Sequence, residues 1–260
     1  MRVSAASATQ RGRYHSMSGT PNEDYHCVRL DLGLFVVADG MGGHPKGEVA
    51  SQAAVEGIVE FVESTVGMLP SQVWPVRFDP GQSDNQNRLR VGFSVGNRRL
   101  ASENALLEER REMATTAVAV LIDGPIGTVA HVGDSRAYRL RGSQLEQLTR
   151  DHSWVEEQLQ AGELTEAAAR DHPRRNIVTR AISGSGDLDV ELQELQLRTE
   201  DRFLLCSDGI FNVLSDAEIE EVLGGREADL AEACQTLVRG ASEGGGSDDM
   251  TAIIVEIDAV

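Results

Sequence analysis

The sequence predicts an α+β protein in which two packed antiparallel sheets are covered by helices, and three observations carry that prediction. Apolar runs of strand length, rich in Val, Ile and Leu, come in groups: Leu34 to Ala38, Thr115 to Ile122, Gly127 to Val132, Phe203 to Cys206 and Met250 to Ile257. Segments with apolar residues at helical spacing come in pairs between those groups. Short turns such as Arg141-Gly142-Ser143 join consecutive strands, so the strands at the centre run antiparallel.

After a polar start, Tyr25 to Leu30 and Gly33 to Ala38 read as a strand pair joined at Asp31-Leu32. Glu48 to Val66 carries Val49, Ala53, Ile58 and Val62 at helical spacing and reads as a helix. Leu69 to Asn85 holds Pro70, Pro75, Pro80 and Gly81 and reads as a loop. Asn87 to Arg111 is a second long helix with a charged, solvated end. Strands follow at Thr115 to Ile122, Gly127 to Val132, Arg136 to Arg141 and Gln144 to Leu148. Short helices at Ser153 to Gln160 and Thr165 to Arg170 form an insertion before strand resumes at Asp189 to Leu197. Ser215, with Asp216 and Glu218 behind it, caps a helix through Leu223; Ala228 to Val238 is another, and Met250 to Ile257 closes the chain as a strand.

Composition narrows the function classes. A length of 260 residues suits one large domain, expected to span 1–260. The net charge of -18, from 42 acidic and 24 basic residues with no basic stripe, argues against DNA, RNA or an anionic membrane as partner. Cys27, Cys206 and Cys234 are an odd set without CxxC spacing, which suits a reducing, intracellular setting. No apolar stretch approaches the roughly 20 residues of a membrane helix, so a soluble, cytoplasmic, monomeric protein is expected.

Four apolar runs meet an aspartate at one edge: Asp39-Gly40, Ser207-Asp208-Gly209, Gly133-Asp134 and Asp248-Asp249. One Asp-Gly pair is ordinarily a turn. Three such edges, each ending a buried strand, instead bring acids to a common rim. Two carboxylates within ~4 Å repel by about 4 kcal/mol at an effective dielectric near 20, so the cluster calls for protons or cations. An oxygen-only set, without Cys or His at matching spacing, points to Mg or Mn rather than Zn.

The stretch Asp39-Gly40-Met41-Gly42-Gly43-His44 lets backbone approach a ligand closely, but its continuation Pro45-Lys46-Gly47-Glu48 is not that of a P-loop. His44, His152 and His172 lie in polar, loop-like segments, where a hydrogen-bonded structural histidine is the ordinary expectation. Arg174-Arg175, ordinarily a solvated pair, forms a local basic cluster able to receive an anionic substrate. No Gly-x-Ser-x-Gly elbow or phosphate-binding Cys loop is present, so covalent catalysis is disfavoured.

Seven motifs occur in a recognisable order: Asn22-Glu23-Asp24; Ala38 to His44; Thr115-Thr116-Ala117; Gly133 to Tyr138; Leu148 to Ser153; Ser207-Asp208-Gly209; and Asp248-Asp249-Met250-Thr251. From about Gln10 to Ile257 the chain resembles the metal-dependent protein phosphatases, the PPM or type 2C family, in its bacterial form. The resemblance implies a four-layer αββα sandwich with two Mn or Mg ions, and a possible third, in a cleft at one end. By motif, Asp39 would bridge both ions, Asp208 and Asp249 would complete one, and Gly40 and Glu23 would serve the other. Asp24 would orient the metal-bound water, and Asp134 would serve the third ion. Residues 149–182 correspond to the family's mobile flap.

The implied reaction is hydrolysis of phosphoserine and phosphothreonine by direct attack of a metal-bridging hydroxide, on phosphoproteins made by a cognate serine/threonine kinase. Two departures stand out. Met41 occupies the place where animal members carry a histidine, which leaves His44 or a metal-bound water as candidate acid. Gly19 occupies the place of a common phosphate-gripping arginine, which leaves Arg13, Arg174 and Arg175 as candidate substitutes. A two-metal nuclease or phosphomonoesterase and a non-catalytic sensing module of the same fold are the alternatives. The charge balance disfavours the first and the intact acidic set the second.

Overall fold

The computed structural model of the chain describes residues 1–41, 46–68, 74–107, 112–170, 172–225 and 229–260. In chain order the elements begin with β1 (Arg2–Gln10), α1 (Arg13–Ser18), β2 (Asp24–Arg29), β3 (Leu34–Met41), α2 (Gly47–Ser64) and α3 (Asp84–Asn104). Then come β4 (Ala114–Thr115), β5 (Ala117–Asp123), β6 (Ile126–Val132), β7 (Arg136–Arg141) and β8 (Gln144–Gln147). The remainder are α4 (Trp154–Gln160), α5 (Glu166–Arg170), β9 (Glu191–Gln196), β10 (Arg202–Cys206), α6 (Asp208–Phe211), α7 (Asp216–Gly224), α8 (Leu230–Glu243) and β11 (Met250–Ala259).

One sheet runs β1-β11-β10-β7-β8 and the other β2-β3-β5-β6-β9, with β4 beside β3, every pairing being antiparallel. Successive side chains of a strand face opposite ways, and here both faces are covered. Phe35, Val37, Val118 and Val120 of one sheet meet Phe203, Leu205, Ile253 and Val255 of the other. On the outer face, Leu34, Val36, Ala119 and Leu121 pack under Ile58 and Val62 of α2 and Leu89 and Phe93 of α3. Tyr138, Leu204 and Ile254 pack under Ile219, Leu223 and Leu237 of α7 and α8. Burial on two faces is why these strands read as unbroken apolar runs. Each large side chain so buried contributes roughly 1.5–3 kcal/mol.

The predicted α+β sandwich is therefore the architecture observed. The polar start, however, is a nine-residue edge strand, β1, lying along the whole of β11 from Arg2↔Ala259 to Gln10↔Met250. Its small residues hid the alternation: Val3 and Ala5 face the space between the sheets, while Ala6 and Ala8 face α8. Helix α3 starts at Asp84, three residues before expectation, because Ser83 and Gln86 form a reciprocal capping box. It ends at Asn104, and 108–111, the expected charged end, lie outside the described residues. No helix among the described residues is long and apolar enough to cross a membrane.

The topology carries the acidic residues to one rim. Pairing of β2 with β3 sets Asp24 opposite Asp39. Asp208 follows the end of β10, Asp248 and Asp249 precede β11 alongside it, and Asp134 lies in the turn between β6 and β7. A bond from Ser207 Oγ to Asp24 Oδ2, at 2.6 Å, ties the two sheets together at that rim.

Candidate active site

Asp39 is held through its backbone. Its N–H donates to Thr116 Oγ1 at 3.2 Å, and its carbonyl accepts from Thr115 Oγ1 at 2.8 Å and Thr116 N at 2.9 Å. The carboxylate is thereby left for the cleft, where the Asp208 charge bears on it. Burial, then the charges of Asp24, Asp208, Asp248 and Asp134, hold the Asp39 carboxyl well above the usual range. Asp208 is raised in the same way, by burial and then by Asp134, Asp248 and Asp24. Burial pushes Asp24 up to about 7 and Asp134 to about 6. One oxygen each of Asp24 and Asp208, Oδ1 in both, is buried without a hydrogen-bond partner. Orphaned, mutually repelling carboxylate oxygens are the donor set of a hard divalent cation, so the residues fit a metal centre of the Mg or Mn kind.

Gly40 and Glu23 converge at the neighbouring position. Gly40 N donates to the Glu23 carbonyl at 3.1 Å, and Ser51 Oγ donates to the same carbonyl at 2.6 Å. A Cβ on Gly40 would stand 2.0 Å from the Gly47 carbonyl oxygen, and one on Gly47 would stand 2.5 Å from Glu23 Cδ and 2.8 Å from the Gly40 carbonyl oxygen. Glycine at both positions is thus what lets the Gly40 carbonyl and the Glu23 carboxylate share one cradle. Gly133, at φ 102°, places Asp134; a Cβ there would lie 2.5 Å from Thr116 Cβ.

The expectation for Asp249 needs correction. Its Oδ1 accepts from Gly12 N at 2.7 Å, and its Oδ2 accepts from Glu23 N at 2.6 Å and lies 2.8 Å from His15 Nδ1. Both oxygens are therefore committed to the protein, and the residue anchors α1 and the Glu23 backbone. Its neighbour Asp248, exposed, adds its charge to Asp24, Asp39, Asp134 and Asp208, whereas Asp249 adds its own to Asp24 and Glu23. Two adjacent aspartates before a strand could not be told apart by spacing, because only the backbone turn decides which side chain points in. His15, ahead of Gly19 and Pro21 in a less common form of the entrance motif, had no role assignable from the sequence; a helix of six residues gave no periodicity to mark it.

The remaining candidates are scattered. Arg13 is exposed on α1, and Arg174 and Arg175 follow α5, where the Arg174 guanidinium stands 5.0 Å from the Trp154 ring that also stacks on His172. The structure brings none of the three into a bond with the acidic rim. His44 lies outside the described residues. The segment after β8 is firmly joined to the site: His152 N donates to the Gly133 carbonyl and Gly133 N to His152 Nδ1, both at 3.0 Å, while the His152 carbonyl accepts from Thr179 N at 2.8 Å.

The model of the protein phosphatase 2C family matches residues 11–252. The chain belongs to that family. It is 34% identical over 225 residues to the serine/threonine phosphatase stp of Listeria monocytogenes, covering 86% of this chain and 84% of that one. Among solved structures, the Mycobacterium tuberculosis serine/threonine phosphatase PstP/Ppp superposes with a TM-score of 0.84 at 32% identity, over 98% of this chain and 99% of that one. The catalytic domain of PstP in complex with two manganese ions superposes at 0.80 and 30% identity, over 98% and 97%. This type 2C chain is accordingly a serine/threonine phosphoprotein phosphatase, and its acidic rim is the feature that calls for Mn or Mg.

Proposed function

We propose that this phosphatase hydrolyses phosphoserine and phosphothreonine in proteins by direct transfer to water, opposing a cognate serine/threonine kinase, and that residues 1–260 act as one catalytic domain with 149–182 as its flap. The observation that carries the reading is the set Asp24, Asp39, Asp134, Asp208 and Asp248 at one rim, with two buried oxygens left unpartnered. Asp39 would bridge two ions, Asp208 and Asp248 would complete one, and the Gly40 carbonyl and Glu23 would hold the other. Bound there, two divalent ions supply an activated water near neutral pH and a positive clamp on the phosphoryl oxygens.

The chain's own residues do the rest. Asp24, fixed by Ser207 at 2.6 Å, keeps an oxygen directed at the site and orients the attacking water. Asp134, raised by burial to about 6, offers a looser third position. The leaving alkoxide takes a proton from His44 or from solvent water. With Gly19 in place of an arginine, Arg13, or Arg174 and Arg175 when the flap lies over the substrate, would supply the positive charge beside the phosphate. A phosphothreonine peptide tests the reading: turnover is expected with Mn, with none after exhaustive chelation. Full turnover in the chelated protein, or cleavage of single-stranded DNA in preference to the peptide, would overturn it.

A further inference from the structure

His15 is buried, only 8% exposed, on the side of α1 that turns toward the site. Its Nδ1 is 2.8 Å from Asp249 Oδ2. An ionised carboxylate only accepts, so Nδ1 is the donor of that pair and Nε2 is the ring nitrogen left to face the site. Nε2 faces Glu23 Oε2 at 3.7 Å, beyond hydrogen-bond reach. Two donor atoms each about 2.1 Å from one ion stand roughly 3 to 4 Å apart, which is the relation these two have. A ring nitrogen of His15 also lies within 4.8 Å of carboxylate oxygens of Asp248 and Asp249. Finally, metal-ligating histidines nearly always give their other N–H to a carboxylate, a backbone carbonyl or water, which fixes the tautomer and the ring orientation. Asp249 does that here, and its second oxygen locks the backbone of Gly12.

We propose that His15 Nε2 is a nitrogen ligand at the Glu23–Asp248 edge of the metal centre, with Asp249 as the carboxylate that orients it. The inference rests on the metal-dependent phosphatase reading and adds to it a preference. Mn and Mg share carboxylate, carbonyl and water as partners, but Mn, as a first-row transition ion at the weak end of the series that favours nitrogen donors, gains from an imidazole where Mg does not. The centre is then not all-oxygen, and Mn is favoured over Mg by a residue lying outside the seven motifs.

The experiment is pulsed electron paramagnetic resonance on the full chain loaded with Mn, together with calorimetric affinities for Mn and Mg. The wild type is expected to show the nitrogen modulation of a directly bound imidazole, and His15→Asn, which can still donate to Asp249, is expected to lose it. Its Mn affinity should fall by about ten-fold to a hundred-fold with a smaller change for Mg, so that the ratio of the two collapses. Bound Mn without nitrogen coupling in the wild type, as expected if His15 is an imidazolium bridging Asp249 and Glu23, overturns the inference alone. Coupling that survives in folded His15→Asn does the same. A wild type that binds no Mn overturns the phosphatase reading beneath it. Should His15→Asn fail to fold, His15→Gln and the wild-type spectrum decide the matter.

Discussion

At the scale of single residues, the adjacent pair Asp248 and Asp249 divides the work that motif order assigns to one of them. Asp249 satisfies two backbone N–H groups and a histidine in a buried place, whereas Asp248 is exposed and loads the acidic rim with charge. Removing a buried acceptor leaves its donors unpaired at roughly 1–3 kcal/mol. Asp249→Ala is therefore expected to lower the melting temperature of the metal-free protein, while Asp248→Asn leaves it unchanged or raised and weakens Mn binding instead. Thermal melts and calorimetry on both variants check this. Equal loss of Mn affinity with no loss of stability in Asp249→Ala would return that residue to the ligand set.

At the scale of elements, the turn from β6 to β7 joins the site to the segment that leads into α4. Gly133 donates to His152 Nδ1, accepts from His152 N, and precedes Asp134, all while holding a φ of 102° that other residues rarely adopt. The His152 ring stacks on His131 at 4.7 Å, and His131 Nε2 donates to the Arg150 carbonyl at 2.7 Å, so two neutral, buried histidines pin the chain between β8 and α4. Burial lowers the pKa of both rings, which keeps them neutral and lets His152 Nδ1 act as acceptor. Gly133→Ala is expected to cost about 1–3 kcal/mol of stability, from strain at positive φ and a Cβ 2.5 Å from Thr116, and to reduce turnover by displacing Asp134. Denaturant melts and steady-state kinetics together check it; a variant as stable and as active as the wild type would show that the turn relaxes freely.

For the whole molecule, the buried acids tie stability to pH and to metal. Asp24, Asp39, Asp134 and Asp208 are all raised above the usual carboxylate range in the folded chain, chiefly by burial. The native state therefore holds protons that the unfolded chain has released, and the stability of the metal-free protein falls as pH rises from about 4, the unfolded carboxylate range, through the folded values of about 6 for Asp134 and about 7 for Asp24. The metal-free protein should melt higher at pH 5.5 than at pH 8, and saturating Mn should reverse the order, because ions bind the ionised form. Melts at both pH values, with Mn and with chelator, decide it; a chelated protein more stable at pH 8 would mean that the cluster is not paired as described.

Much of this was legible without coordinates, because strands buried on both faces must be continuously apolar and the acids that end them must lie at a rim. The two-sheet class, the helices α2, α7 and α8, and Asp39 and Asp208 all follow from runs and their edges in the sequence. The edge strand β1 did not, since alanine and serine carry too little contrast in hydropathy to mark a face. Nor could spacing choose Asp248 over Asp249, or bring His15 beside Glu23. Those depend on how the chain turns into β11 and on α1 packing against that turn, where Tyr14 N donates to the Ser247 carbonyl at 3.0 Å. Periodicity in the sequence determined which elements form and which acids reach the rim. Only the tertiary structure decided which side chains turn inward there, because orientation at a strand end is set by long-range backbone contacts that no local pattern encodes.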